Sequence, residues 1–501
     1  MGATVTVVEA TTSATKRWRP RGLGSVAAVL LVVGTMAGCS SVGGIGDPLI
    51  SNAPGPALTS GPITAPTDPE HDRIVASYGG VYDDPAAAQA VARAVGRLVA
   101  ASDDPSQSYR ITILNSPAIN AFALPSGNLY VTRGLIALAD DTSEVAAVIA
   151  HEMAHVTARH AIARARRAEA ASEVNRVVAN VMQDHDQQRL ALASTQLSLA
   201  RFSQVQELEA DAIGVRTLAR AGFDPFAASR FLSSMARYAD YKAMRGGASR
   251  NPDFLSSHPS TPERISFAVR SAREIGAPGI GEQEKDQYLT GLDGMVFGDD
   301  PSEGFVRGRS FLHKGLGIQL TVPAGYSLEN TTKAVLATDA SGTAMRFDGV
   351  SVPTPVSLRD YLESGWVNGL LPETIRETTI GEFPAATATA KTDGWVFQIG
   401  LIRKGKTSFR FIFAAQDAAV PLEAALGETM GSFRKLTPEE SARLRPLHLR
   451  MVRVKPGDSI ERLAEQMGGV ERKLDLFRIL NGLGPNDAPE PGRLVKVVSE
   501  S

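Results

Sequence analysis

The chain has 501 residues, 43% hydrophobic and 21% charged, enough for about three units that each bury a core. Lysine plus arginine (52) nearly balance aspartate plus glutamate (54), and no basic block interleaved with aromatics follows the N-terminal region, so nothing suggests a nucleic-acid partner and none is expected. A single cysteine excludes a disulfide framework and a thiolate metal site.

The chain starts with an export signal. Lys16, Arg17, Arg19 and Arg21 form a basic region ahead of an apolar run from Leu23 to Val33, too short for a comfortable membrane span. Met36-Ala37-Gly38-Cys39-Ser40 then resembles a bacterial lipoprotein cleavage site. Residues 1–39 therefore read as a lipoprotein signal peptide with its lipidation site at Cys39; an ordinary signal peptide with an incidental cysteine is the alternative. Residues 40–70, rich in Gly, Pro, Ser and Thr, read as a flexible linker. No later run of about eighteen apolar residues exists, so the mature chain is expected to have no transmembrane helix. It is expected to be lipid-anchored in the periplasm. Ser40 is not an acidic inner-membrane retention signal, which favours the outer membrane.

Residues 71–280 form the first folded unit. An amphipathic helix is predicted at Ala86–Ala101, and strands at Tyr109–Asn115 and Asn128–Thr132. A helix follows at about Asp141–Arg166, started by Asp141 and Glu144. It carries His151-Glu152-Met153-Ala154-His155. Residues four apart share a helix face, so His151 and His155 can reach one metal ion, with Glu152 beside them to accept a proton from a bound water. The alternative is a helix with two histidines on a solvated face. Catalytic zinc takes three protein ligands and keeps one open position. A His-Glu-x-x-His-x-x-Gly-x-x-His extension would need Gly at 158 and His at 161; both are alanine. His160 lies five residues past His155, about 140° round a continuous helix, and is expected to point elsewhere. Val205, Leu208, Ala212, Val215 and Ala219 predict a helix packing on the core. On it, Glu207 can face the metal as third ligand, and Asp211 can accept from a ligand histidine as its outer partner. An acidic pair on a solvated face is the other reading.

His151-Glu152-Met153-Ala154-His155 followed by Glu207-Leu208-Glu209-Ala210-Asp211 resembles the HtpX/CAAX-prenyl-protease family of zinc metallopeptidases. Asn120–Gly127 with Leu129-Tyr130-Val131 resembles that family's strand before the zinc helix, and Ser257-His258-Pro259 with Arg264 its His-Pro loop. The look-alikes are the soluble periplasmic branch, the β-barrel assembly-enhancing proteases. The resemblance covers about residues 70–275. It implies one Zn2+ per chain, held by His151, His155 and Glu207. It also implies Glu152 as general base and His258 as a regulatory fourth ligand; a His258 that packs its loop or binds substrate is the alternative. Arg264 is expected to help hold the oxyanion, or else to pair with Asp211. A strand edge near Phe122–Leu124 can hold an extended peptide by backbone pairing, which tolerates many sequences and suits misfolded chains as substrates.

Residues 281–304 read as a polar linker. From 305 to 436, strands at Ile318–Val322, Ala344–Phe347, Ala386–Ala390, Trp395–Ile402 and Phe409–Ala414, with helices at Ser357–Gly369 and Pro421–Phe433, predict an antiparallel α+β domain without a catalytic constellation. The helical repeats usual after the protease in the periplasmic relatives are missing here. Residues 448–501 read as strand–helix–helix–strand and resemble a LysM module, which implies binding to N-acetylglucosamine polymers such as peptidoglycan; a LysM-like fold without glycan binding is the alternative. The fold class is therefore α+β: a mainly helical zincin-type metalloprotease domain with a small sheet, an antiparallel α+β domain, and a small βααβ unit. The expected function is a zinc metalloendopeptidase of the bacterial envelope acting on unfolded or misassembled polypeptides. A chaperone or assembly factor with a latent zinc site, and a peptidoglycan-anchored scaffold, are the rivals.

Overall fold

The computed structural model describes residues 68–500 apart from 182–184, 244–257, 260, 393 and 417–419; the side chains of 171–202 are also outside it. The Cys39 site and the 40–67 linker therefore lie outside the described residues, as does most of the loop that leads to His258.

The first folded region is mainly helical. Helix α1 (Pro69–Ser77) and helix α2 (Pro85–Ala101) each begin on an aspartate cap followed by proline. Strands β1 (Arg110–Leu114), β2 (Ala121–Ala123) and β3 (Asn128–Thr132) form a sheet in the order β1-β3-β2, parallel between β1 and β3 and antiparallel between β2 and β3. Short helix α3 (Arg133–Leu138) leads into α4 (Thr142–Thr157), whose first turn is capped by the Asp141 carboxylate accepting from Glu144 N at 2.8 Å. Every residue of α4 from Thr142 to His155 is buried. Its alanines allow neighbours on all sides, and α2, α6 and α7 pack around it.

Helix α4 is shorter than the continuous Asp141–Arg166 expected. α4 ends at Thr157, Arg159 takes a left-handed backbone conformation (φ 54°), and α5 (His160–Val181) starts afresh. Helix α6 (His185–Arg220) carries the second half of the site and α7 (Ala227–Ala243) follows it. The apolar stripe expected to face the core on α6 is offset: Val205 is 61% exposed, and the buried positions are Gln206, Glu207, Ala210, Asp211, Gly214, Val215, Thr217 and Leu218. Close approach favours the smaller face. A Cβ on Gly214 would stand 3.2 Å from His151 N, so glycine there lets α6 lie against α4. Helix α8 (Pro262–Ile275) packs on α6 and α7.

Residues 281–304 are not a linker. Helix α9 (Lys285–Gly291) buries Tyr288 and Leu289, and the Tyr288 hydroxyl donates to Ile136 O at 2.6 Å. Leu292 and Met295 join the same core, and β4 (Val296–Phe297) ends the segment. The polar composition hid four inward positions.

The next region is antiparallel throughout its sheets. Strands β5 (Phe305–Arg307), β6 (Ser310–His313), β7 (Ile318–Thr321), β8 (Ser327–Asn330), β9 (Val335–Thr338) and β10 (Ala344–Ser351) precede α10 (Leu358–Glu363). Then come β11 (Leu370–Ile380), β12 (Phe383–Thr392), β13 (Trp395–Lys404), β14 (Thr407–Ala415), α11 (Leu422–Gly431), β15 (Arg434–Lys435) and α12 (Pro438–Arg443). They form a seven-stranded sheet, β11-β12-β13-β14-β10-β9-β8, and a four-stranded one, β15-β7-β6-β5. Two apolar clusters cover opposite faces of β12 and β13: one holds Ala385, Ile402 and Phe411 with α11, the other Ala386, Ile399 and Leu401 with α10.

The last unit runs β16 (Leu447–Arg453), α13 (Ile460–Glu465), α14 (Lys473–Leu480) and β17 (Leu494–Ser499), with β16 and β17 antiparallel. β16 also pairs with β4, Leu447 opposite Phe297. The described fold is mixed α+β, and no helix among the described residues is long and apolar enough to cross a membrane.

Candidate metal centre and active site

Four side chains converge from three elements. His151 and His155 lie one turn apart on α4, with their Nε2 atoms 3.0 Å apart. From α6, Glu207 Oε2 lies 3.3 Å from His151 Nε2, and Oε1 lies 3.4 Å from His155 Nε2. His258, just ahead of α8, places Nδ1 2.8 Å from Glu207 Oε2 and 3.3 Å from His151 Nε2. All four are buried, and their donor atoms lie within 4.8 Å of one another.

The donor set fits zinc. Ligand atoms about 2.0–2.1 Å from a tetrahedral ion stand about 3.3 Å from each other, and the contacts above are 3.0–3.4 Å for the His151, His155 and Glu207 atoms. Glu207 Oε1 and Glu152 Oε1 are buried without a hydrogen-bond partner among the described residues, which a cation and its bound water would satisfy. The charges agree. Three buried carboxylates, Glu152, Glu207 and Asp211, face one buried guanidinium, Arg264, so the pocket draws a cation. Burial disfavours charge on His151, yet Asp211 and Glu207 outweigh it and raise its pKa to about 9. Burial, with His151 next in weight, pushes His155 well down. For Glu207, burial works upward, but contacts with His151 and His258 hold the carboxyl well below its usual range.

Glu152 sits beside the cluster, 3% exposed, with Oε1 3.7 Å from His258 Nε2. Burial raises its carboxyl above the ordinary range, against the pull of His258 and His151. That direction suits a group that must take up and release a proton near neutrality. Asp211 Oδ1 lies 3.0 Å from His151 Nδ1, fixing the far nitrogen of that ring. Arg264 does not face open space. Its Nε and Nη2 donate to the two oxygens of Asp211 at 2.8 and 2.7 Å, and Nη1 reaches Pro259 O and Glu207 Oε2, both at 3.1 Å. The guanidinium is committed to orienting the two acids, so the geometry gives it a holding role in place of an oxyanion contact.

Sequence reasoning missed His160. It does not point away: Nδ1 lies 2.8 Å from His155 Nδ1, Nε2 lies 3.2 Å from Glu209 Oε2, and the residue is 3% exposed. The helical-wheel angle fails because the helix breaks at Arg159, and no signal in the residue types marked that break.

Two histidines one turn apart, a glutamate between them and a third donor from a second helix form a candidate metal site of the His-Glu-x-x-His kind. The profile of Peptidase family M48 matches residues 85–272. The beta-barrel assembly-enhancing protease of Escherichia coli is 31% identical over 219 residues, 42% of this chain and 43% of that one. The namesake from Yersinia pestis is 32% identical over 205 residues, 39% of this chain and 40% of that one. The mitochondrial metalloendopeptidase OMA1 of Schizosaccharomyces pombe is 32% identical over 175 residues, 35% of this chain and 50% of that one. The chain thus spans half or less of the length of each of these relatives.

Proposed function

We infer that this chain is a zinc-dependent metalloendopeptidase of the bacterial cell envelope. The observation that carries the reading is the buried set of His151, His155 and Glu207 donor atoms at zinc-ligand spacing, with Glu152 beside it. Bound zinc supplies Lewis acidity, which acidifies water and polarises a peptide carbonyl. Glu152 takes the proton of the attacking water and returns it to the leaving amine. Asp211 holds the His151 ring, and Arg264 holds Asp211 and Glu207. Strand β2 is the edge of its sheet and packs beside α4, so its backbone is placed to pair with an extended substrate. Such pairing reads little side-chain sequence, in keeping with unfolded or misassembled envelope polypeptides as substrates.

The envelope location extends to a lipid on Cys39 and attachment at the outer membrane, supported by the basic and apolar run and Met36-Ala37-Gly38-Cys39. The βααβ unit extends the reading to peptidoglycan, supported by its element order. A second state is favoured by His258. Its Nδ1 stands among the other donors, and a filled fourth position leaves no room for water, so the resting enzyme is latent until the His258 loop is drawn off.

Zinc content and casein cleavage test the reading together. Glu152→Gln is expected to keep zinc and lose cleavage by orders of magnitude; full activity in that variant refutes the enzyme reading in favour of a chaperone. His258→Ala is expected to raise basal cleavage, and a fall with zinc retained ends the latch.

A further inference from the structure

The two ligand histidines are held from behind by different chemistry. His151 leans on a carboxylate, Asp211, itself fixed by Arg264. His155 leans on another imidazole: its Nδ1 faces His160 Nδ1 at 2.8 Å, and His160 Nε2 faces Glu209 Oε2 at 3.2 Å. We propose that His160 is a positioning residue for the metal centre: it accepts the Nδ1 proton of His155 and thereby fixes the tautomer and ring angle in which His155 Nε2 can bind zinc. This rests on the zinc reading above.

Proton placement decides the direction. His155 Nε2 is turned inward, 3.0 Å from His151 Nε2 and 3.4 Å from Glu207 Oε1. For that nitrogen to give its lone pair to a cation, the proton of the neutral ring must sit on Nδ1. Nδ1 then donates to His160 Nδ1, so the proton of His160 sits on Nε2 and points to Glu209. Each ring nitrogen has one role, and the donors run outward to a side chain that is 56% exposed. The reverse assignment puts a proton on His155 Nε2, among the donors of His151 and Glu207, and removes the lone pair the metal needs.

The local fold is arranged for this contact. The left-handed turn at Arg159 ends α4 and swings the next residue back toward the helix it has just left. Gln206 Nε2, buried on α6, donates to His160 O at 3.2 Å and ties the first turn of α5 to the helix that carries Glu207. Glu207, Glu209 and Asp211 thus serve one centre from one helix: Glu207 faces the donor cluster, Asp211 backs the ligand ring of His151, and Glu209 backs His160.

The test uses the full chain, zinc affinity by competition with a chromogenic chelator, and melting of the zinc-stripped protein. His160→Leu keeps bulk and removes the acceptor; it is expected to weaken zinc about 10–100-fold. His160→Asn keeps an oxygen near the Nδ1 position and is expected to recover most of that loss, although asparagine fills the site less well than leucine. Zinc-stripped melting is expected not to follow this order, whereas a packing role would move melting and affinity together and favour leucine. Glu209→Gln is expected to cost less than His160→Leu. Wild-type affinity in His160→Leu, or equal loss in the Asn and Leu variants, overturns the proposal alone. A wild-type chain that binds no zinc overturns it together with the metallopeptidase reading.

Discussion

Residues 305–436 and residues 448–501 both follow the helical region that carries the metal site, yet they relate to it in opposite ways. The sheet region has its own two apolar clusters, with no residue shared with the peptidase core. It meets the rest across a cavity of about 600 Å³ lined by Tyr78, Tyr241, Phe297 and Leu328 among others. The βααβ unit has no core of its own. Leu449, Ile460, Leu463, Phe477, Leu480 and Val495 belong to one cluster with Leu135, Leu138, Val145 and Ile149. Lys496, fully buried on β17, donates from Nζ to Ala137 O, Leu138 O and Ala139 O at 3.1, 3.1 and 2.7 Å. These carbonyls close α3 just before Asp141 caps the zinc helix. Arg237 and Tyr241 on α7 add donations to Leu483 O and Glu471 O.

The pairing of β4 with β16 explains the difference. Phe297 and Leu447 are cross-strand neighbours, so the chain leaves the sheet at β4 and returns beside the point of departure. The region between them is inserted into a domain that begins with α1 and ends with β17. Insertions with adjacent ends disturb a host little, because the host core closes without them.

That comparison is broken most severely by deletion. Replacing residues 299–445 with a short Gly-Ser turn is expected to leave a soluble, cooperatively melting protein that still binds zinc. Removing 448–501 is expected to abolish cooperative melting and zinc binding together, because about a third of one core is lost. Zinc retention after gel filtration of both proteins decides it; a folded, zinc-binding product of the second deletion refutes the shared core. A retention assay on peptidoglycan therefore needs surface substitutions on the βααβ unit in place of its removal.

Single residues sharpen it. Lys496→Met strips the donor from three carbonyls and is expected to cost about 3 kcal/mol, read as a lower urea midpoint of the zinc-binding domain. Phe411→Leu, in the core of the insertion, is expected to lower the unfolding transition of the sheet region and leave zinc affinity in place. Coincident movement of both transitions in either variant would show that the two regions unfold as one.

The smallest effect is a pH slope. Glu144, on α4 below the site, accepts from Asp140 N at 2.9 Å and contacts Arg230 Nε at 3.3 Å. Burial first, then the charges of Asp141 and Asp140, raise its pKa from about 4.5 to about 7. Between those values the folded chain holds a proton that the unfolded chain has released. The associated stability is present below pH 4.5 and is lost as pH rises toward 7. Glu144→Gln is expected to flatten that part of the stability profile of the zinc-binding domain, measured by urea midpoints from pH 4.5 to pH 7.5; an unchanged slope refutes the assignment.

Local chemistry made much of this molecule legible in one dimension. The metal donors on α4 follow from helix periodicity, because His151 and His155 are four residues apart on one continuous helix. The strands of the sheet region follow from apolar alternation or apolar runs: β14 buries alternate residues, and β13 is buried continuously from Ile399 to Ile402. The βααβ order follows from turn and cap residues such as Ser459, whose hydroxyl accepts from Arg462 N. What the residue types did not hold was the meeting of distant segments. Glu207 belongs with His151 because Gly214 lets α6 close on α4; His160 belongs with His155 because the chain turns left-handed at Arg159; and Lys496 belongs with α3 because β4 and β16 pair across an insertion. Periodicity reports which face an element turns inward, whereas the partner waiting on that face is chosen by turns and packing that join residues as little as 5 and as much as 359 positions apart, and only the folded chain brings them within reach.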